Sequence, residues 1–423
     1  MLLSVEQDFR VEGKMEITRR TVLASGAAAL ALAPVLARAA VDARALHKKL
    51  ICIDTHLDMP ANLARPGWNV MEKHSFNEDF TQVDYPRMIE GGLDGGFFAI
   101  YTPQAPVTPE GMSAMRDAAL LRAMEIREMV AAHPAQFELA FVLEDAARIA
   151  AKGKIIVFQS IENSGILGDD VTLLRSFYKL GVRMAGPIHF LNNQLGDSAT
   201  DKKKWGGLSP LGRAFVKEAN DLGIVLDASH SSDDVFDQMM DLSRAPIICS
   251  HSGCRAVHDH PRNLDDARIK RLAAAGSTIQ INSYNEYLVT VPPNPERDAA
   301  RRAARGAMRN VANMGPAEAT AAVRAAAAAE REVDRKYPIP RANFDEYMKH
   351  VMHALDLVGP DHVGVGADWD GGGGVVGMED VSSIPKITER LVKAGYTEAQ
   401  LANFWSGNAL RVLGKVHAAR KQA

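Results

Sequence analysis

Apolar residues in this chain fall into short, nearly continuous runs, and between the runs the spacing changes. The runs lie near Leu50–Thr55, Gly95–Tyr101, Ile155–Ile161, Val182–Ile188, Ile224–Ser229, Pro246–Ser250, Ser277–Ile281 and His362–Ala367. Runs of this length without polar alternation read as strands buried on both faces. Met115–Ala132, Val171–Leu180, Leu211–Leu222 and Asp233–Leu242 instead carry apolar residues at helical spacing. Phe137–Val142 is a further strand-like run that stands outside the alternation. Buried strands alternating with helices predict a parallel sheet covered by helices. Eight such units in roughly 380 residues predict a (β/α)8 TIM-type barrel, an α/β fold. A doubly wound open sheet is the alternative, but no GxGxxG follows the first run.

The rhythm breaks between Val291 and Ala342. Pro292-Pro293-Asn294-Pro295 opens the stretch, Ala317–Arg335 is rich in Ala, Arg and Glu, and Tyr337-Pro338-Ile339-Pro340 closes it. Ala, Arg and Glu are strong helix formers, so residues 291–342 are expected to be a helical insertion between strands 7 and 8. Loops at that position lie on the catalytic face of a barrel, which allows a lid or substrate wall; a solvated appendage or a dimer contact is the plainer reading.

Thr18-Arg19-Arg20-Thr21-Val22-Leu23 precedes an Ala/Leu-rich run to Leu36 and then Ala37-Arg38-Ala39-Ala40. Paired arginines, a short apolar stretch and a small-residue cleavage site form a twin-arginine signal, so residues 1–40 read as a leader and 41–423 as the barrel. Translation from Met15 would leave a conventional short leader. The protein is expected to be exported, into a bacterial periplasm. No other stretch is apolar and long enough to span a bilayer, so no span is expected in the mature chain.

Composition narrows the classes further. The 423 residues are 47% hydrophobic and 24% charged, with a net charge of -3, which gives no basic field for nucleic acid. Three cysteines, Cys52, Cys249 and Cys254, form neither a CxxC pair nor a disulfide framework.

The chemistry lies at the ends of the strands. The first run ends in His56 and Asp58, the third in Glu162, the fourth in His189, the fifth in His230, the sixth in His251 and the eighth in Asp368. A parallel barrel gathers these ends at one mouth. Four imidazoles and three carboxylates in one ring predict a metal site. Two metals need a bridging anion and about two further protein ligands each. Glu162 can bridge, His56 and Asp58 suit one ion, and His230 and His251 suit the other. His189 and Asp368 are then left for the reacting group. Zinc suits this donor set best, with Mn2+ or Co2+ as alternatives. His258 and His260 read as loop residues. Gly371–Gly374 lacks the Lys-Ser/Thr of a phosphate loop, and Ser229 and Ser250 lack a nucleophile elbow.

From about residue 50 to 415 the sequence resembles the membrane dipeptidases, or renal dipeptidases, of the amidohydrolase superfamily. The resemblance rests on Ile53-Asp54-Thr55-His56-Leu57-Asp58-Met59-Pro60, Ser160-Ile161-Glu162, Gly181-Val182-Arg183 through His189, and Leu226-Asp227-Ala228-Ser229-His230. It continues in Ser250-His251 with His260-Pro261-Arg262-Asn263, and in Gly364-Val365-Gly366-Ala367-Asp368-Trp369-Asp370-Gly371. The resemblance implies a binuclear zinc dipeptidase that cleaves dipeptides with a metal-bridged hydroxide. It implies His56, Asp58, Glu162, His230 and His251 as metal ligands, His189 and Arg262 as substrate-binding residues, and Asp368 as the catalytic aspartate. It also implies a homodimer. Glu162-Asn163-Ser164-Gly165 and Ile188-His189 depart from the family's usual Glu-Gly-Gly and Thr-His, and both departures bear on substrate preference. Two other readings are an N-acyl amino acid amidase or lactonase on the same barrel, and a non-catalytic metal-binding scaffold.

Overall fold

The computed structural model describes residues 42–421, so the leader expected over residues 1–40 lies outside the described residues. The strands are β1 (Ile53–Leu57), β2 (Gly95–Ile100), β3 (Phe137–Leu139), β4 (Ile155–Ile161), β5 (Val182–Ala185), β6 (Val225–Leu226), β7 (Ile248–Cys254), β8 (Asn263–Leu264), β9 (Thr278–Ile281) and β10 (Val363–Val365). All of their pairings are parallel. One ladder runs β1-β2-β4-β5-β6 and a second runs β10-β9-β7, with β3 added to β4 and β8 to β7. Two single bridges join them, Asp227 to Ile248 and Leu57 to Trp369. Eight strands thereby close into the (β/α)8 barrel.

Strand lengths depart from the apolar runs for local reasons. β5 stops at Ala185, before Gly186-Pro187, where a proline has no N–H to give the ladder. β7 runs past His251 to Cys254 because Gly253 and Cys254 pair with β8. β3 is the strand-like run outside the alternation, and it is only an edge addition.

Alternate residues serve two apolar clusters, as the pleat requires. Ile53, Phe97, Ile156, Phe158, Met184, Val225 and Ile248 form the inner one, with the Phe97 and Phe158 rings stacked at 4.9 Å. Ala409, Val412, Leu413 and Val416 of the helix Asn408–Ala418 join it, and so do Ile51 and Ala245, which precede β1 and β7. That helix therefore closes the end of the barrel from which the strands start. Leu57, Phe98, Val157, Leu226, Cys249, Ile279 and Val365 face the larger cluster shared with the surrounding helices.

Between β9 and β10 lie the helices Pro295–Ala304 and Pro316–Lys336, with a 3-10 turn at Arg305–Met308. Both helices carry proline in the first turn, where its missing N–H costs nothing. Arg301 and Arg305 join the pair through Glu330, at 2.7 and 2.6 Å. Among the described residues no helix is long and apolar enough to cross a membrane.

At the second seam three strands come close together. The Thr55 hydroxyl reaches Ser250 O at 2.6 Å and Val365 O at 3.1 Å. A Cβ added at Gly366 would overlap Ser250 O and crowd Thr55 Oγ1. Gly366→Ala is therefore expected to lower stability by about 3 kcal/mol, as overpacking of a rigid core does. Gly306→Ala, where a Cβ meets nothing within 4 Å, is the control and should be neutral. Urea unfolding of both variants would check this, and equal midpoints would refute the crowding argument.

Candidate metal centre

Glu162 stands at the centre of the polar ring. Its Oε1 lies 3.2 Å from His230 Nε2, 3.3 Å from His189 Nε2, 3.5 Å from His56 Nε2 and 3.7 Å from His251 Nε2. His56 Nε2 is also 3.3 Å from Asp58 Oδ2 and 4.0 Å from Asp368 Oδ1. The Nε2 atoms of His230 and His251 approach to 2.9 Å. All seven side chains are buried. The sequence-predicted ligands and both reacting-group residues thus meet in one pocket. Their donor atoms fall into three groups that could each hold an ion: His56, Glu162 and His251; Glu162, His189 and His230; and His56, Asp58 and Asp368.

The pleat alone would not bring these side chains together. Glu162 and Asp368 keep the inward parity of Ile156 and Phe158 and of Gly364 and Gly366. His56 and His251 do not, because Ile53 and Ile248 set the inward parity of their strands. Each sits at an irregularity: the β1–β2 register shifts between Asp54 and Leu57, and the β7–β9 register between Cys249 and Ser252. Such bulges re-aim a side chain by one position. His230 is turned inward differently, by a left-handed backbone at φ 66°, and Asp368 adopts φ 67°. For a residue with a Cβ this costs about 1–2 kcal/mol, a strain that surrounding contacts must hold. His189 is not at a strand end. It follows β5 by four residues, beyond Pro187, and its carbonyl accepts from Ser198 Oγ at 2.6 Å.

Electrostatics separate the groups. Burial opposes a charge on His56, but Asp58 and Glu162 outweigh it and raise its pKa well above the ordinary value. Burial likewise opposes ionisation of Glu162, yet the histidines around it, His189 first, hold it well below the usual carboxylate range. Burial, with Arg262 nearby, lowers His230 far below the ordinary range; His251 is lowered by burial and by His56. Both are therefore neutral imidazoles, the form that binds metal. Burial and the Asp58 and Glu162 carboxylates push Asp368 up to about 8.

His56 Nε2, Asp58 Oδ1 and Glu162 Oε2 are buried without a hydrogen-bond partner. Unpaired buried polar atoms are costly, and here they converge. Nitrogen and carboxylate donors of this kind suit zinc, so the residues fit the metals expected from the sequence.

Sequence reasoning missed the residues that hold the ligands. Ser250 Oγ donates to Asp227 Oδ2 at 2.5 Å, so at 2.8 Å it can only accept from His251 Nδ1. The proton then sits on Nδ1 and leaves Nε2 bare toward the pocket. Asp227 Oδ1 takes the N–H groups of Ser229 and Ser250 at 3.0 and 2.9 Å, and Asp54 takes those of His56 and Ala367. Asn282 Nδ2 donates to Asp368 Oδ2 at 3.3 Å. The available signal was a second aspartate at the same strand end, two or three residues before a histidine, in both Asp54-Thr55-His56 and Asp227-Ala228-Ser229-His230.

Arg262 is 2% exposed and lies 5.0 Å from the Tyr287 ring, with Nη2 donating to His251 O at 3.2 Å. The acids near it in sequence do not neutralise it: Asp265 pairs with Arg268 and Arg255. Among the described residues no carboxylate forms an ion pair with it.

A closed parallel barrel with a buried imidazole–carboxylate cluster at the strand C-termini defines a metal-dependent hydrolase. Residues 41–423 match the membrane dipeptidase family, peptidase family M19, and the chain belongs to it. It is 30% identical to the probable dipeptidase PvdM from Pseudomonas aeruginosa, with a TM-score of 0.75 over 89% of this chain and 98% of that one. It is 27% identical to an uncharacterized dipeptidase, C3A11.10c, of Schizosaccharomyces pombe over 85% of this chain and 79% of that protein. It is 27% identical to dipeptidase 3 of Rattus norvegicus over 90% of this chain and 68% of the rat protein.

Ser250→Ala should weaken metal binding about 10-fold or more by freeing the His251 ring. Competition titration against a chelator, with circular dichroism to confirm folding, would check this. Unchanged affinity would mean that Ser250 does not set the tautomer.

Proposed function

We propose that the chain is an exported binuclear zinc dipeptidase. The observation that carries this reading is the buried ring of four imidazoles around Glu162, with its unpaired Nε2 and carboxylate oxygens. His56, Asp58, Glu162, His230 and His251 would hold the ions. Two such ions supply Lewis-acid polarisation of the peptide carbonyl and lower the pKa of a water at neutral pH.

The remaining roles belong to the protein's own groups. Arg262 offers its buried guanidinium to the free carboxylate of the substrate, a bidentate pairing that Lys could not reproduce. That contact limits the substrate to short peptides, because a longer chain puts no carboxylate at that distance. His189 Nε2 faces the pocket and donates to the oxygen on which charge develops. Asp368 is anchored through Oδ2 by Asn282, which leaves Oδ1 toward the pocket to carry a proton to the leaving amine. Its raised pKa suits this role, and nearby cations would draw the value back toward neutrality. Arg19-Arg20 and the apolar run behind them support export of the folded, loaded protein through the twin-arginine route, into a periplasm.

Metal content and a dipeptide panel on one purified sample test the reading. Two zinc equivalents per chain are expected, with hydrolysis of free L,L or L,D dipeptides and none of N-acylated controls. Activity confined to acylated or cyclic substrates would move the function to an amidase or lactonase. Glu162→Ala should lose metal and activity together, and full activity without metal would sink the proposal. Arg262→Gln should raise KM for dipeptides by about 10- to 100-fold, the loss of one charge-assisted pair, and an unchanged KM would make Arg262 structural.

A further inference from the structure

A separate cavity opens on the same face of the barrel. Tyr284, Asp298, Arg301, Arg302, Arg305 and Arg309 line a volume of ≈ 500 Å³. Four guanidiniums there face Asp298 and the Glu330 carboxylate that Arg301 and Arg305 share. Two positive charges are left over. Among the described residues, Arg302 and Arg309 form no ion pair, so they carry the excess.

Tyr284 connects this cavity to the metal centre. A Cβ added at Gly371 would overlap the Asp58 and Asp368 carboxylates, and one added at Gly372 would overlap the Tyr284 ring. Only two consecutive glycines, about 3.8 Å apart at Cα, and one ring separate the reacting groups from the arginines. The Tyr284 ring stacks on Tyr287 at 4.5 Å, and Tyr287 lies under Arg262. A dipeptide with its terminal carboxylate on Arg262 therefore has its C-terminal residue beside this tyrosine wall.

We propose that the arginine-lined cavity is a specificity subsite for an anionic side chain on the C-terminal residue of the dipeptide. The inference rests on the dipeptidase reading and adds a substrate class to it. Asp carries its carboxylate on Cβ and Glu one methylene further, so an acidic side chain beside Tyr284 is directed toward the arginines that line the cavity with it. Because Arg302 and Arg309 are both exposed, their pull is screened by solvent and sensitive to salt.

The test compares Ala-Glu, Ala-Gln and Ala-Ala, each in L,L and L,D form, with the metal-loaded enzyme and its Arg302→Ala/Arg309→Ala variant. Both positions are on the surface and away from the ligands, so the variant should fold and cleave Ala-Ala as the parent does. The parent should favour Ala-Glu over Ala-Gln by about 5- to 10-fold, mainly in KM, as two exposed charge pairs allow. The preference should shrink to within twofold in the variant, and in the parent at about 0.5 M salt. Ala-Ala cleavage with equal KM for Ala-Glu and Ala-Gln would overturn the subsite alone, as would a preference that survives in the variant. No cleavage of any dipeptide would overturn the dipeptidase reading and the subsite with it.

Discussion

The barrel depends on two buried aspartates at the places where its hydrogen-bond ladders stop. Asp227 bonds to the N–H groups of Ser229 and Ser250 across the seam from β6 to β7, and Asp54 bonds to His56 and Ala367 across the seam between β1 and β10. Only one bridge joins the strands at each seam. A buried carboxyl oxygen that accepts backbone N–H groups stands in for the missing ladder bonds. Each aspartate also lies within three residues of a histidine of the metal centre. Closing the barrel and aiming the ligands are thus one act, and the Ser250–His251 contact extends the first seam to the tautomer of the imidazole.

Glu162 places the opposite demand on the same space. Its charge is held in the interior by four histidines that crowd one oxygen and leave the other bare. The imidazole nitrogens of His230 and His251 approach one another to 2.9 Å, and the Asp58 and Asp368 carboxylates both crowd Gly371. A bound cation would relieve this crowding of donor atoms. Residues that each violate a rule of stable burial become mutually satisfied when the centre is filled, as expected of a pre-shaped metal site.

Much of this was legible in the chain. Short, nearly continuous apolar runs alternating with helical spacing marked the eight barrel strands in order, because strands buried on both faces leave a strong hydrophobic signature. His56, Asp58, Glu162, His189, His230, His251 and Asp368 stood out because each follows or ends such a run. What could not be read is how the histidines come to point inward. His56 and His251 need bulges, and His230 needs a left-handed turn. A bulge is set by the partner strand's register, and nothing in Thr55-His56 or Ser250-His251 announces it. The seam aspartates were visible as letters but not as clasps, since their partners lie 23 and 313 residues away. The cavity was hidden for the same reason: Arg302 and Arg309 look like ordinary surface residues of an Ala/Arg-rich stretch until Tyr284 is placed beside them.

The helix Asn408–Ala418, which stops the far end of the barrel, has a consequence for biosynthesis. β1 finds its second neighbour only when Trp369 emerges, and the inner apolar cluster is covered only when residues beyond 408 do. Until then a nascent chain exposes an open strand edge and an uncovered interior, the features that invite aggregation. The metal pocket is likewise incomplete before Asp368. Closure of the barrel must therefore be a late event for this molecule. A fragment that stops short of residue 368 would carry all five proposed ligands and still lack the aspartate beside them.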